Sequence, residues 1–307
     1  MKILLLGRNG QVGWELQRSL QPLGQVVALG HQANDNPLQL CGDLGDLEGL
    51  AATVRSVQPQ CIVNAAAYTA VDRAETDAPM ARRVNAEAPA VLANEARRLG
   101  AWLVHYSTDY VFDGSGTQPW QETDAPAPLS VYGQTKLEGE DAVRQWPQHL
   151  ILRTSWVYGT RGGNFAKTML RLAAERDTLS VVSDQWGAPT GADLLADVTA
   201  HCLRQLLRDP SGAGTYHCTP AGSTHWCDYA RHVLRQAQGL GHALKAGPEA
   251  VQAIASAAFP TPARRPLNSR LNTQRLRTTF GLHLPDWQPG VDRMLAEVLG
   301  PHAPQRP

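Results

Sequence analysis

Lys2-Ile3-Leu4-Leu5-Leu6-Gly7-Arg8-Asn9-Gly10-Gln11-Val12-Gly13-Trp14-Glu15-Leu16-Gln17-Arg18-Ser19-Leu20 is the stretch on which the fold turns. The apolar run from Met1 to Leu6 reads as a buried strand of a parallel sheet. Val12, Leu16 and Leu20 then recur at helical spacing, so a helix follows with one apolar side. Between them stand Gly7, Gly10 and Gly13. Glycines at a strand-to-helix turn let the chain reverse tightly, let a pyrophosphate approach the helix amino terminus, and let helix and strand pack closely. A plain turn in some other α/β protein would satisfy the same pattern, so the remainder of the chain must decide.

Outward from this unit the chain keeps alternating strand and helix, the rhythm of a doubly wound, Rossmann-type parallel sheet. Gln25 to Leu29 reads as the second strand, 47 to 57 as a helix, and 61 to 64 as the third strand, followed by the small residues Ala65, Ala66 and Ala67. One helix is expected from Met80 to Leu99, ended by Gly100, then a strand from Trp102 to Tyr106. Thr108 thereby emerges at a strand's carboxyl end, where such sheets bind ligands. Proline-rich residues 120 to 128 read as a surface loop, 149 to 154 as the next strand. After about residue 155 the rhythm loosens: helices over 164 to 176 and 192 to 208, strands over 179 to 183 and 215 to 218, a helix over 292 to 299, and a fraying end over 301 to 307. The expected division is a dinucleotide-binding domain over 1–155 and a smaller lobe over 156–307, some of whose elements return to the first sheet.

The 307 residues suffice for one large domain or two modest ones. Formal net charge is zero and no long basic run occurs, which points away from nucleic acid and acidic membranes as partners. Cys41, Cys61, Cys202, Cys218 and Cys227 are odd in number and contain no Cys-x-x-Cys pair, which argues for a reducing compartment. No stretch has the eighteen or so apolar residues of a membrane helix, and a cytoplasmic protein is expected. His217, Cys218, His225, Cys227 and His232 fit no common zinc spacing.

Tyr132 and Lys136 are four apart, so on a helix they share one face. A phenol beside a cation is a tunable proton donor: free Tyr titrates near 10, and each unit of lowering corresponds to about 1.4 kcal/mol. An acid so tuned can protonate an alkoxide formed by hydride delivery. By itself the pair also describes an ordinary helix surface, and its meaning comes from the glycine turn upstream and from Ser107-Thr108-Asp109.

The Gly-x-x-Gly-x-x-Gly spacing resembles that of extended short-chain dehydrogenase/reductases. Further blocks resemble the dTDP-4-dehydrorhamnose reductase family: 11 to 16, 63 to 67, 105 to 112, 132 to 136, 153 to 158, 187 to 191 and 262 to 266, in order over nearly the whole chain. The resemblance implies NADPH-dependent reduction of dTDP-4-dehydro-β-L-rhamnose to dTDP-L-rhamnose. It makes Tyr132 the proton donor to the sugar C4 oxygen, Lys136 its electrostatic partner and a ribose ligand, and Thr108 a hydrogen-bonding partner of the reacting oxygen. Asp109 and Trp156 would touch the sugar nucleotide. Gly7, Gly10, Gln11, Val12 and Gly13 would lie at the pyrophosphate, Asp43 and Leu44 near the adenine, and Ala65, Ala66 and Ala67 along the ribose, with Tyr132 and Lys136 completing the cofactor site. Asn85 matches an asparagine that supports the catalytic geometry, or else is an exposed helix residue. Arg264 and Arg265 suit a diphosphate or form a solvated pair; Trp156 also fits a core aromatic. Phe165 and Trp186 read as packing.

The second strand ends Leu29-Gly30-His31-Gln32, without the carboxylate that an NAD-selective site places there, so NADPH is expected with NADH tolerated. The 30 to 41 loop looks longer than usual for the family. Glu15, Asp193 and Glu297 match acids that hold Mg²⁺ at a homodimer interface in some members. Two other readings share these features: a nucleotide-sugar epimerase or dehydratase, which would recycle a retained NAD, and a nicotinamide-binding regulatory subunit of methionine adenosyltransferase.

Overall fold

A computed structural model describes residues 1–32 and 40–300. Most of the 30 to 41 loop and the 301 to 307 end, for which a long insertion and fraying were expected, lie outside the described residues. The first half runs β1 (Lys2–Leu6), α1 (Gln11–Ser19), β2 (Gln25–Leu29), α2 (Leu47–Val57), β3 (Cys61–Asn64), α3 (Val71–Ala74), α4 (Ala78–Arg82), α5 (Ala88–Leu99), β4 (Trp102–Thr108), α6 (Val131–Arg144) and β5 (His149–Thr154). All strand pairs here are parallel. Ile3 and Leu5 of β1 point into one apolar cluster with Leu16, Leu20 and Val63. Leu4 and Leu6 point into another with Leu50, Val54, Ile62 and Leu92. Alternation of side chains along the strand therefore buries both faces, at roughly 1.5–3 kcal/mol per fully buried aliphatic side chain.

The second half supplies β6 (Val157–Tyr158), α7 (Phe165–Glu175), β7 (Leu179–Val182), β8 (Trp186–Gly187), β9 (Thr190–Gly191), α8 (Ala192–Leu206), β10 (Gly214–His217), β11 (Thr224–His225), α9 (Trp226–Gly239), β12 (Val251–Ile254), α10 (Gln274–Phe280) and α11 (Trp287–Leu299). Strand β10 joins the first sheet beside β5, giving the order β10-β5-β4-β3-β1-β2. Leu195, Leu203, Leu276 and Phe280 of α8 and α10 complete the cluster around Ile3. Met169, Val181, Val233, Trp287 and Val291 form a separate core. Edge strand β10 is partly covered by a side chain: Glu122 Oε1 accepts from His217 N at 2.9 Å, blunting an edge that would otherwise template pairing.

Helices α9 and α10 had no counterpart in the sequence reading, β4 runs on to Thr108 rather than ending at Tyr106, and two expected helices differ in form or start. The helix expected from Met80 to Leu99 starts at Ala78 and carries a π turn at Arg83–Glu87. Pro89 has no N–H to return to the Asn85 carbonyl, so the regular ladder cannot continue there. The terminal helix begins at Trp287 rather than 292, because Trp287 and Val291 belong to the second core.

Candidate active site

Ser130 caps α6 by accepting from Gly133 N at 3.2 Å, and Glu75 Oε1 accepts from Val131 N at 2.9 Å. These two bonds fix the helix start and so the place of Tyr132. The phenol ring meets Tyr110 edge to face, with centroids 5.5 Å apart. Thr108 ends β4; its Oγ1 accepts from Tyr110 N at 3.2 Å and donates to Asp109 Oδ1 at 3.1 Å. The same hydroxyl also lowers the Tyr132 pKa by hydrogen bonding. With one proton it can serve the Asp109 carboxylate or a Tyr132 phenolate, not both.

Burial pushes the Tyr132 pKa up to about 12; Thr108 pulls it down and the Asp109 charge raises it. The lowering expected from Lys136 is not what this arrangement provides. Lys136 is 2 % exposed, and its Nζ donates to the Tyr106 carbonyl at 2.6 Å and lies 3.4 Å from His105 Nε2. Burial lowers the lysine to about 8, against a raising effect of Glu140. A neutral phenol and a loosely protonated lysine are both proton sources at neutral pH.

Asp109 is 2 % exposed, and its Oδ2 has no protein hydrogen-bond partner. Burial raises its pKa to about 6, with Ser269 and Thr108 opposing. A carboxyl whose folded pKa exceeds its ordinary value stabilises the fold while neutral, and that stability is lost as pH rises from about 4 to 6. Asp109→Asn, which mimics the neutral form, is therefore expected to stabilise the protein by about 1–3 kcal/mol at pH 7 and by little at pH 4. Urea denaturation at the two pH values checks this, and equal effects at both would remove the explanation.

On the other side of the site, Gly7 has φ +88° and a Cβ there would lie 2.8 Å from Ala66 N; a Cβ at Gly13 would lie 2.0 Å from the Gly7 carbonyl. Both positions demand glycine. Gly10 caps α1 without a side-chain hydrogen bond, leaving the first-turn N–H groups of Gln11, Val12 and Gly13 without a side-chain cap. A cradle of bare backbone at a helix amino terminus fits a pyrophosphate. Ala65, Ala66 and Ala67 line it half-buried. Leu44 is buried in the core around Leu4 and Leu50. Asp43 is drawn to the end of β2, its Oδ1 3.0 Å from His31 Nδ1. Asp43, the residue expected near the adenine, thus lies beside β2, a placement made by the following segment and not readable from β2 alone.

From the second half comes Trp156, held at φ +49°, a strained backbone for a bulky residue. It stacks on Trp226 with centroids 3.6 Å apart, and a Cβ on Gly187 would come within 2.7 Å of its Cε2. Phe165 packs on Trp226 at a tilt of 48°; Trp186 packs against His225 and Arg270. Arg265 pairs with Asp72 of α3 at 2.9 Å, and Asp72 Oδ1 accepts from Ala263 N, so the 262 to 266 segment is tied to the sheet half. Arg264 is exposed. Asn85 is buried: its Oδ1 accepts from Tyr68 N at 2.8 Å, and its Nδ2 donates to Tyr68 O and Thr135 Oγ1. It fastens α6 to the segment after β3.

Glu15, Asp193 and Glu297 line one small pocket with Arg293. Arg293 lies 3.5 Å from Asp193 Oδ2 and 3.0 Å from Glu297 Oε1. Among the described residues, one set of metal-capable side chains gathers within 4.8 Å, and it is His225, Cys227 and Asp228. The three acids therefore do not fit Mg²⁺ as a single-chain site.

Asn64, His105, Asp72 and Trp226 had no role assigned from sequence. Asn64 and His105 lay in the quoted blocks, and the register pairing Asn64 with His105 is the signal that joins them, visible only once the strands are aligned.

A glycine-cradled parallel sheet with Thr108, Tyr132 and Lys136 at its carboxyl edge defines the class, an extended short-chain dehydrogenase/reductase. Residues 1–299 match the family model described as the RmlD substrate binding domain. The chain is 54 % identical over 300 residues to dTDP-4-dehydrorhamnose reductase of Escherichia coli K12, covering 97 % of this chain and 98 % of that one. It is 46 % identical to the enzyme of that name from Burkholderia thailandensis over 97 % and 99 % of the two chains. Among solved structures, the dTDP-4-dehydrorhamnose reductase of Bacillus anthracis in complex with NADP superposes with TM-score 0.84 at 32 % identity, covering 96 % of this chain and 99 % of that one. The chain belongs to the dTDP-4-dehydrorhamnose reductase family, and it is an oxidoreductase.

Proposed function

We propose that the protein reduces dTDP-4-dehydro-β-L-rhamnose to dTDP-L-rhamnose with NADPH, the last step of dTDP-rhamnose formation. One continuous arrangement carries the reading: Gly7 packs on Ala66, Ala66 N donates to Asn64, Asn64 reaches His105, and His105 meets Lys136 one turn from Tyr132. The cradle after β1 and the proton donor on α6 are thus joined through β3 and β4. Residues 1–155 hold the dinucleotide, and 156–307 contribute mainly to the sugar nucleotide through Trp156, Arg264 and Arg265.

The reduced nicotinamide supplies the hydride. Tyr132, neutral at working pH, gives its proton to the sugar C4 oxygen, and Thr108 donates to the same oxygen as it gains charge. Lys136 stabilises the resulting phenolate and bonds the ribose. Asp109 Oδ2 accepts from a sugar hydroxyl, and Trp156 covers a face of the sugar nucleotide. Gly7, Gly10, Gln11, Val12 and Gly13 hold the pyrophosphate; Asp43 and Leu44 border the adenine, and Ala65 to Ala67 the ribose. Arg8, whose Nη1 donates to Ala28 O at 3.4 Å, lies beside the end of β2 and supports acceptance of a 2′-phosphate. NADH is tolerated.

Oxidation of NADPH with dTDP-4-dehydro-β-L-rhamnose, with NADH in parallel, tests this. Rapid oxidation with NADPH favoured over NADH is expected. Tight NADPH binding without oxidation would leave a regulatory subunit, and turnover without external cofactor an epimerase or dehydratase.

A reducing, cytoplasmic setting is the reading that the free thiols Cys41, Cys61, Cys202, Cys218 and Cys227 support; among the described residues no helix is long and apolar enough to cross a membrane. A homodimer through the Glu15, Asp193 and Glu297 face would bring two acidic sets together, and Mg²⁺ is the cation the family resemblance implies there. An association state in sedimentation unchanged by Mg²⁺ or chelator would remove that role.

A further inference from the structure

Asn64, His105 and Lys136 form a buried row, 1 %, 1 % and 2 % exposed, from the end of β3 across the middle of β4 to the second turn of α6. The proton positions along this row follow from one backbone group. Ala66 N–H donates to Asn64 Oδ1 at 3.2 Å, which fixes the orientation of the amide and turns its NH₂ toward His105. Asn64 Nδ2 lies 3.2 Å from His105 Nδ1. An NH₂ group only donates, so Nδ1 must be the bare nitrogen, and a neutral ring then carries its proton on Nε2. Burial and the neighbouring Lys136 charge keep the ring neutral, its pKa held well below the ordinary value. The Nε2–H therefore faces Lys136 Nζ across 3.4 Å.

An ammonium has three donors and no acceptor. It cannot bond to an N–H, and the positive end of that dipole opposes its charge. We propose that Asn64 and His105 are positioning residues for Lys136: by fixing an imidazole N–H against its amine, they hold the lysine on the Tyr106 carbonyl and make its proton easy to lose and regain.

Burial and Glu140 are the other influences on this lysine. From β4 come His105 and the Tyr106 carbonyl, the latter 2.6 Å from Nζ. On its own helix, Tyr132 stands one turn before it and Glu140 one turn after. Glu140 is the charge that raises the lysine, but it is itself bound by Arg153 of β5 and by Arg144, which spends much of its field. With burial dominating, the lysine falls to about 8. A lysine so poised takes up charge when an anionic oxygen arrives beside it, as the Tyr132 phenolate would after giving up its proton. That functional meaning rests on the reductase reading above; the tautomer and the titration do not.

The test is nuclear magnetic resonance of the full chain without substrate, so its outcome is separate from turnover. The sequence has four lysines, Lys2, Lys136, Lys167 and Lys245, and ten histidines, few enough to resolve singly. Lys136→Arg and His105→Gln assign the two signals by their loss. The native protein should show His105 as the neutral Nε2–H tautomer at pH 7 and one lysine, Lys136, titrating near 8, well below the other three.

Asn64→Asp is the switch. A carboxylate has no N–H to give, so it still accepts from Ala66 N but now demands a proton on His105 Nδ1. The bare Nε2 then accepts from Lys136. The expected result is a flip of the His105 tautomer together with an upward shift of the Lys136 titration by about one unit or more. Introduced charge alone would raise the lysine without moving the ring proton, and that outcome overturns the proposal. So does a native His105 carrying its proton on Nδ1, or a native Lys136 that titrates with the other lysines; both are read on the native chain, whether or not the Asn64→Asp variant folds.

Discussion

Tyr132→Phe is expected to lower kcat for NADPH oxidation by about 10²–10⁴-fold, the usual contribution of a positioned general acid, while leaving the dissociation constant for NADPH nearly unchanged. The ring stays where it is, because its edge-to-face contact with Tyr110 and the cap at Ser130 do not involve the hydroxyl. Only the hydroxyl is removed, and with it the proton and the Thr108 hydrogen bond. Most of the cofactor affinity is expected from the glycine cradle, so the loss of one phenol contact should change NADPH binding far less than it changes turnover. The pH profile should separate this from a structural effect. Native activity should persist on the alkaline side until the phenol, pushed up to about 12 by burial, or Lys136, lowered to about 8, loses its proton. Since Lys136 titrates first, the alkaline limb belongs to it. Stopped-flow measurement of the hydride step in both proteins checks the prediction, and a Phe variant with native turnover would remove Tyr132 from the proton path.

Much of the sheet half was legible in the sequence because its signals are local. Apolar strand runs, a glycine turn and a helix of 3.6 periodicity each occupy a few adjacent residues, and β2, α2 and β3 fall on the stretches they imply. The candidate site was legible where its proposed residues cluster in sequence: Thr108 beside Asp109, Tyr132 four before Lys136. Charge balance across the site was not. Proximity of Tyr132 and Lys136 suggested a depressed phenol, but depth of burial and the carbonyl of Tyr106 decide otherwise, and neither is written in the spacing. Asp43 reaching His31, Asp72 tying down Arg265, and Asn64 meeting His105 are contacts between residues distant along the chain. The π turn at Arg83–Glu87 had a local cause in Pro89, yet its purpose, turning Asn85 inward to hold Tyr68 and Thr135, is tertiary. The return of β10 to the first sheet depends on a long-range register between 214 to 217 and 150 to 153, which no local pattern encodes.

The largest loss of stability is expected from Glu140→Ala. Glu140 is fully buried, and both its oxygens accept from Arg153: Nε at 2.9 and 3.2 Å and Nη2 at 2.7 Å, with Arg144 on the same carboxylate. Arg153 is 1 % exposed and sits on β5, so it cannot swing out to water when its partner is lost. A buried guanidinium without a counter-charge costs about 3–5 kcal/mol, a large share of the roughly 5–15 kcal/mol that holds a domain together. The pair's own net worth is much smaller, because desolvating both ions offsets most of their attraction. Glu140→Leu combined with Arg153→Met should therefore recover most of what either single change loses, and a double-mutant cycle in urea isolates the coupling. Similar losses in the single and the double variants would mean that packing, and not the unpaired charge, sets the cost. Glu140→Gln adds a functional reading: it keeps the shape but removes the one charge that raises Lys136, so the lysine should titrate still lower and the alkaline limb of activity should move toward neutral pH. A stability loss without that movement would show that Glu140 serves the fold alone.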